Sequence, residues 1–159
     1  MNPVPDRLSR LRFLVRVVAK ECKHLAGTDE RLFTEPFTAQ RAVLLDTDSE
    51  LAERAEAFVS RFGRLQDTLS DKLLPALLSA LGEKPATVID NLDRAERLGW
   101  VASVNDWTTL RALRNQMVHE YVEDPRVLAN ALEAAHGFVP TLLETARRML
   151  DEAARRGWT

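Results

Sequence analysis

A single cysteine, Cys22, excludes an internal disulfide and any zinc site built on thiolates. It sits on an apolar helical stripe and reads as a small buried hydrophobe. Six glycines and seven prolines in 159 residues are too few for a loop-rich or all-β chain. No apolar run approaches the roughly 18 residues that a membrane span requires, and the opening MNPVPDRLSR lacks the apolar core of a secretory leader. A cytoplasmic protein without a membrane partner is expected. Three histidines with no clustered carboxylate pair give no metal site, and neither a glycine-rich phosphate loop nor a nucleophile elbow is present, so no cofactor is expected. The net charge of −2 counts mildly against a nucleic-acid partner.

What is present is helical. A hydrophobic fraction of 45% with 29% charged residues is that of a globular chain, and the length suits one domain over residues 1–159. Leu8, Leu11, Leu14, Val15, Val18, Cys22 and Leu25 recur at three- and four-residue spacing, predicting a first helix capped by Asp6 and stopped by Gly27. Arg12, Arg16, Lys20 and Lys23 form a second stripe on it, either a solvated face or a track for RNA phosphates. Phe13 and Val17 fit neither stripe, which suggests a second apolar contact such as a partner subunit. Residues 28–48 read as a loop with one short helix over 39–45. A long helix follows from about Ser49, kinked or ended by Pro75 and stopped by Gly82. Pro85 suits the first position of a helix ending at Gly99. Ser103 and Asp106 resemble a capping box for the next helix, and Asp124-Pro125 open the last, bent near Gly137 and Pro140 and stopped at Gly157. The expected fold is all-α, an antiparallel bundle of four to five long helices kinked near Pro75 and Pro140.

The chemistry-bearing segment is LRALRNQMVHEYVEDP, which places Arg114, Asn115, His119 and Tyr121 on one helix. Arginine, then histidine five residues on, then tyrosine, with asparagine directly after the arginine, resembles the signature of the HEPN superfamily in its HepT-like form. The runs SRFGRLQDTLSDKLLPALL and DNLDRAERLGW are similar to HepT-like chains in order and spacing, and the similarity spans about residues 51–143. The resemblance implies a HEPN-like bundle, a homodimer whose motif helices meet in a cleft, and a metal-independent endoribonuclease toxin acting on mRNA or tRNA. It also implies neutralisation by a minimal nucleotidyltransferase (MNT) antitoxin that AMPylates Tyr121, setting phosphate beside Arg114. The alternative is a non-catalytic HEPN protein that binds a nucleotidyltransferase or its substrate.

The residue types suit that reaction. Histidine titrates near neutrality and can take the proton of a ribose 2′-hydroxyl or protonate the leaving 5′-oxygen. A guanidinium stabilises the extra negative charge of the phosphorane through paired hydrogen bonds. His119 is therefore assigned acid–base work, Arg114 electrostatic stabilisation, and Asn115 orientation of the phosphate or of His119. The products would be a 2′,3′-cyclic phosphate and a 5′-hydroxyl. Asp67, in RLQD, is a candidate to orient His119 or Arg114 from a neighbouring helix. On a straight helix Arg114 and His119 point about 140° apart. Convergence needs a distorted helix, a curled arginine or a second chain. His24 and His136 read as structural, and Trp100, Trp107 and Trp158 as helix-end packing, with stacking on bases the rarer use.

Overall fold

The computed structural model describes residues 3–119 and 123–159, and every regular element among them is helical. The first helix, α1, covers Pro3–Leu32. Asp6 lies inside it rather than capping it, and Gly27 does not stop it. The extension is tertiary in origin. Thr28 and Leu32 continue the buried series of Leu11, Leu14, Val18 and Leu25, and their burial outweighs the roughly 1 kcal/mol that a mid-helix glycine costs. Arg61 donates to the Thr28 hydroxyl and, at 3.4 Å, to the carbonyl of His24. Asp29 pairs with Nδ1 of His136 at 2.6 Å, and the His136 ring stacks on Phe33 with centroids 4.2 Å apart.

The segment that follows is short and pinned. The Phe37 amide donates to the Glu133 carboxylate. Thr38 caps α2 (Ala39–Val43), and a single 3-10 turn (Leu44–Asp46) leads to α3 (Ser49–Asp67), where Asp48 accepts from the amide of Leu51 at 3.1 Å. Leu51, Ala55, Phe58, Phe62 and Leu65 alternate at four and three residues along its buried face.

Between α3 and α4 (Leu74–Ala80) the chain widens into a π-helical turn over Thr68–Leu73, in which the Leu74 amide bonds the carbonyl of Leu69. Pro75 supplies the reason: it lacks a donor, and its ring presses on the carbonyl four residues back. Looser i→i+5 bonding accommodates both without ending the helix. Gly82, at φ +84°, ends α4 in the left-handed region.

Helix α5 (Val88–Arg97) opens later than Pro85 by itself would place it. Thr87 is its cap, and the segment around Pro85 is tied down by Asn91, whose Oδ1 accepts from the Ala86 amide at 2.8 Å. Gly99, at φ +83°, closes it. Ser103 accepts from the Asn105 amide at 3.2 Å where α6 (Val104–His119) begins, and Asp124 caps α7 (Pro125–Arg155), with Pro125 in its first turn. Pro140 lies inside α7 with its side chain exposed, and the helix continues through it. The result is an all-α bundle: α3 packs mainly on α1, α6 on α7 and α3, and α2 closes over α7. No described helix is long and apolar enough to cross a membrane.

Candidate functional site

Helix α6 buries Trp107, Leu110, Leu113 and Met117. At about 100° per residue, Arg114 lies roughly 45° from the centre of that stripe and His119 almost opposite it. Arg114 is accordingly half-buried against α3, while His119 and Asn115 are exposed. Helix α6 is regular through His119, and the arginine turns away from the imidazole rather than towards it.

On α3, Gly63 and Asp67 stand one turn apart on the same face. Gly63 is buried, and its missing side chain leaves the gap through which Arg114 crosses the helix. The guanidinium then reaches Asp67, with Nη2 3.3 Å from Oδ2. Of the two candidate partners, Asp67 is paired with Arg114. The two side chains are 40% and 43% exposed; pairs this wet contribute about 0–1 kcal/mol. Such a contact costs little to break.

Arg114 and Asp67 line a cavity of about 340 Å³ together with Ser60, Gly63, Arg64, Thr68, Lys72 and Val118. The π-helical turn matters here, because five residues along an α-helix would turn Lys72 about 140° from Asp67, whereas both face this cavity. Behind the wall, the Thr68 hydroxyl donates to Glu21 of α1 at 3.0 Å. Burial raises the Glu21 carboxyl above its ordinary range, against the lowering effects of the Thr68 hydrogen bond and of Arg64 and Lys72. Glu21, Gly63, Arg64, Thr68 and Lys72 were not recognisable as site residues from pattern alone. The one signal in the sequence was Gly63 itself, an isolated glycine in a helical run four residues before Asp67.

No family model, curated protein or solved structure matches the chain. The site therefore rests on its geometry.

The remaining candidates separate cleanly. Asn115 and His119 are one turn apart on the outer face of α6, and both are exposed. Tyr121 lies outside the described residues. Arg12, Arg16, Lys20 and Lys23 lie away from the buried stripe of α1 and do not line this cavity. Phe13 is 52% exposed and Val17 half-buried. His136 is engaged by Asp29, and His24 is exposed. Trp100 and Trp107 are buried in the core, which removes them from any stacking surface. Among the described residues, no three His, Cys, Asp or Glu side chains cluster as a metal site requires.

Proposed function

We propose that the protein is a metal-independent endoribonuclease of HEPN type, a toxin whose site is completed in a cleft between two copies of the chain. The observation that carries this reading is the Arg114 guanidinium, which lines a cavity with Arg64 and Lys72 and is held by a weak, exposed pair with Asp67. A scissile phosphate can displace Asp67 and take up the guanidinium's paired donors. Because α6 is regular and Arg114 leans towards α3, neither a distorted helix nor a curled arginine brings His119 to that phosphate. A second chain is the remaining route. Exposed Val118, at 54%, stands between Arg114 and His119 in helical angle and gives the outer face of α6 an apolar contact for a twofold partner.

In this reading an imidazole takes the proton of the 2′-hydroxyl as its oxygen attacks phosphorus, and Arg114 stabilises the phosphorane. The bond to the 5′-oxygen breaks as the second copy of the imidazole protonates it, leaving a 2′,3′-cyclic phosphate and a 5′-hydroxyl. Asn115 would steady His119. The resemblance to HepT-like chains adds a minimal nucleotidyltransferase antitoxin and AMPylation of Tyr121. A mass gain on the Tyr121 peptide after incubation with the transferase and ATP tests that step.

The exposure of His119, apart from Arg114, favours a second reading on the same fold: a non-catalytic HEPN protein that binds a nucleotidyltransferase or its substrate. One experiment separates them. Wild type and His119→Ala are expressed in bacteria, then purified and incubated with tRNA and mRNA. Growth arrest and RNA cleavage by wild type alone are expected. Intact RNA with wild type removes the ribonuclease reading, and a monomer at micromolar concentration removes the cleft shared between two copies.

A further inference from the structure

A second cavity, of about 420 Å³, lies between the start of α1 and the π-turn–α4 segment. Arg7 and Arg10 line it from α1, Lys72 from the π-helical turn, and Pro75, Ala76 and Pro85 supply apolar surface. Lys72 also lines the Arg114 cavity, so the two are neighbours across one side chain. Together they are lined by five cationic side chains, Arg7, Arg10, Arg64, Lys72 and Arg114, against two carboxylates, Asp67 and Asp71, in a chain whose net charge is −2. Of those carboxylates, Asp67 is held by Arg114, and Asp71 accepts from the Ser70 hydroxyl at 3.0 Å. Positive charge is therefore concentrated where the surface is concave.

We propose that these two cavities form one continuous track for single-stranded RNA, running from the scissile phosphate at Arg114 past Lys72 to the Arg7–Arg10 groove. The track rests on the ribonuclease reading for the identity of its polyanion. Successive phosphates lie on Arg114, Lys72 and the Arg7–Arg10 pair, while ribose and base faces lie on Pro75, Ala76 and Pro85. A duplex presents its phosphates on convex ridges, whereas a single strand can bend its backbone into a recess and splay its bases. The track also separates the cations of α1 by role. Arg7 and Arg10 face the recess, whereas Arg12 and Arg16 point away from the core into solvent.

Anisotropy of a fluorescein-labelled single strand of about twelve nucleotides tests this, in a His119→Ala background that keeps the strand intact. Arg7→Glu/Arg10→Glu should bind roughly tenfold more weakly, and its salt slope should be shallower by about 0.7 for each phosphate no longer neutralised. Arg12→Glu/Arg16→Glu should bind within about twofold of its parent, since exposed charges outside the track act weakly. Equal binding by the Arg7/Arg10 variant, an equal loss in the Arg12/Arg16 variant, or a duplex of the same length binding as tightly as the single strand overturns the track. Cleavage by the chain with native His119 is read separately. An uncleaved strand with the expected binding pattern overturns the nuclease reading and upholds the track, while cleavage with an indifferent Arg7/Arg10 variant does the reverse.

Discussion

Gly63 and Arg114 fit one another across the α3–α6 contact so closely that a methyl group on Gly63 would stand 2.8 Å from Nε of Arg114 and 3.2 Å from its Cγ. Those atoms lie along the middle of the arginine, so a small rotation of the guanidinium alone does not relieve the overlap. The whole side chain has to take another path.

Gly63→Ala should therefore separate stability from function. Alanine is favoured over glycine within a helix by about 1 kcal/mol, and the displaced side chain is long and half in water. Thermal melting should be unchanged or slightly higher, while RNA cleavage falls about tenfold or more as Arg114 leaves its position. A variant with wild-type cleavage would show that Arg114 does not act from this path.

Asp67→Asn keeps the shape of the side chain and removes its charge. The exposed ion pair is worth about 0–1 kcal/mol, so folding should hardly change. Calorimetric titration with inorganic phosphate should give several-fold tighter binding once the competing carboxylate is neutral. Weaker binding would mean that Asp67 prepares the arginine for phosphate instead of competing with it.

Glu21 gives a pH dependence of defined sign. Its carboxyl is raised above 4.5, first by burial, so the folded chain holds this proton more tightly than the unfolded one. The associated stability is present below about pH 4.5 and is lost as pH climbs through the raised folded value. Glu21→Gln keeps an acceptor for the Thr68 hydroxyl and removes the desolvated charge. It should melt higher than wild type at pH 7, and the two curves should converge at pH 4.

Burial, reinforced by the neighbouring Glu21, pushes the Cys22 thiol up to about 11. At pH 7.5 the native chain should carry roughly a few hundredfold less thiolate than a free cysteine of pKa about 8.5. Ellman's reagent should react slowly until denaturant is added. Rapid labelling of the native protein would place the thiol in a wetter setting than the α1 stripe.

Much of this architecture was legible in the residues because its signals are local. Positive-φ glycines at Gly82, Gly99 and Gly157 stop helices where the apolar pattern runs out, and Asp124 with Pro125 starts one. These devices act through backbone groups within a few positions of themselves. The same is true of the 140° offset of Arg114 from His119, which follows from helical geometry alone. Gly27 and Pro85 are of another kind. Gly27 looks like a stop, yet α1 runs on to Leu32 because Thr28 meets Arg61, and Asp29 meets His136, more than 30 and 100 residues away. Pro85 looks like a helix opening, yet the Thr87 cap and the Asn91 brace move the start to Val88.

The chain's order of residues determined by itself an all-α bundle and put an arginine and a histidine on different sides of one helix, since periodicity and capping are properties of short segments. Only tertiary packing decided that Arg114 would cross Gly63 to reach Asp67, and that the turn forced by Pro75 would bring Lys72 to the same recess. Those outcomes depend on which helix lies against which. That is set by burying apolar faces distant in sequence, and it leaves no mark within any single segment.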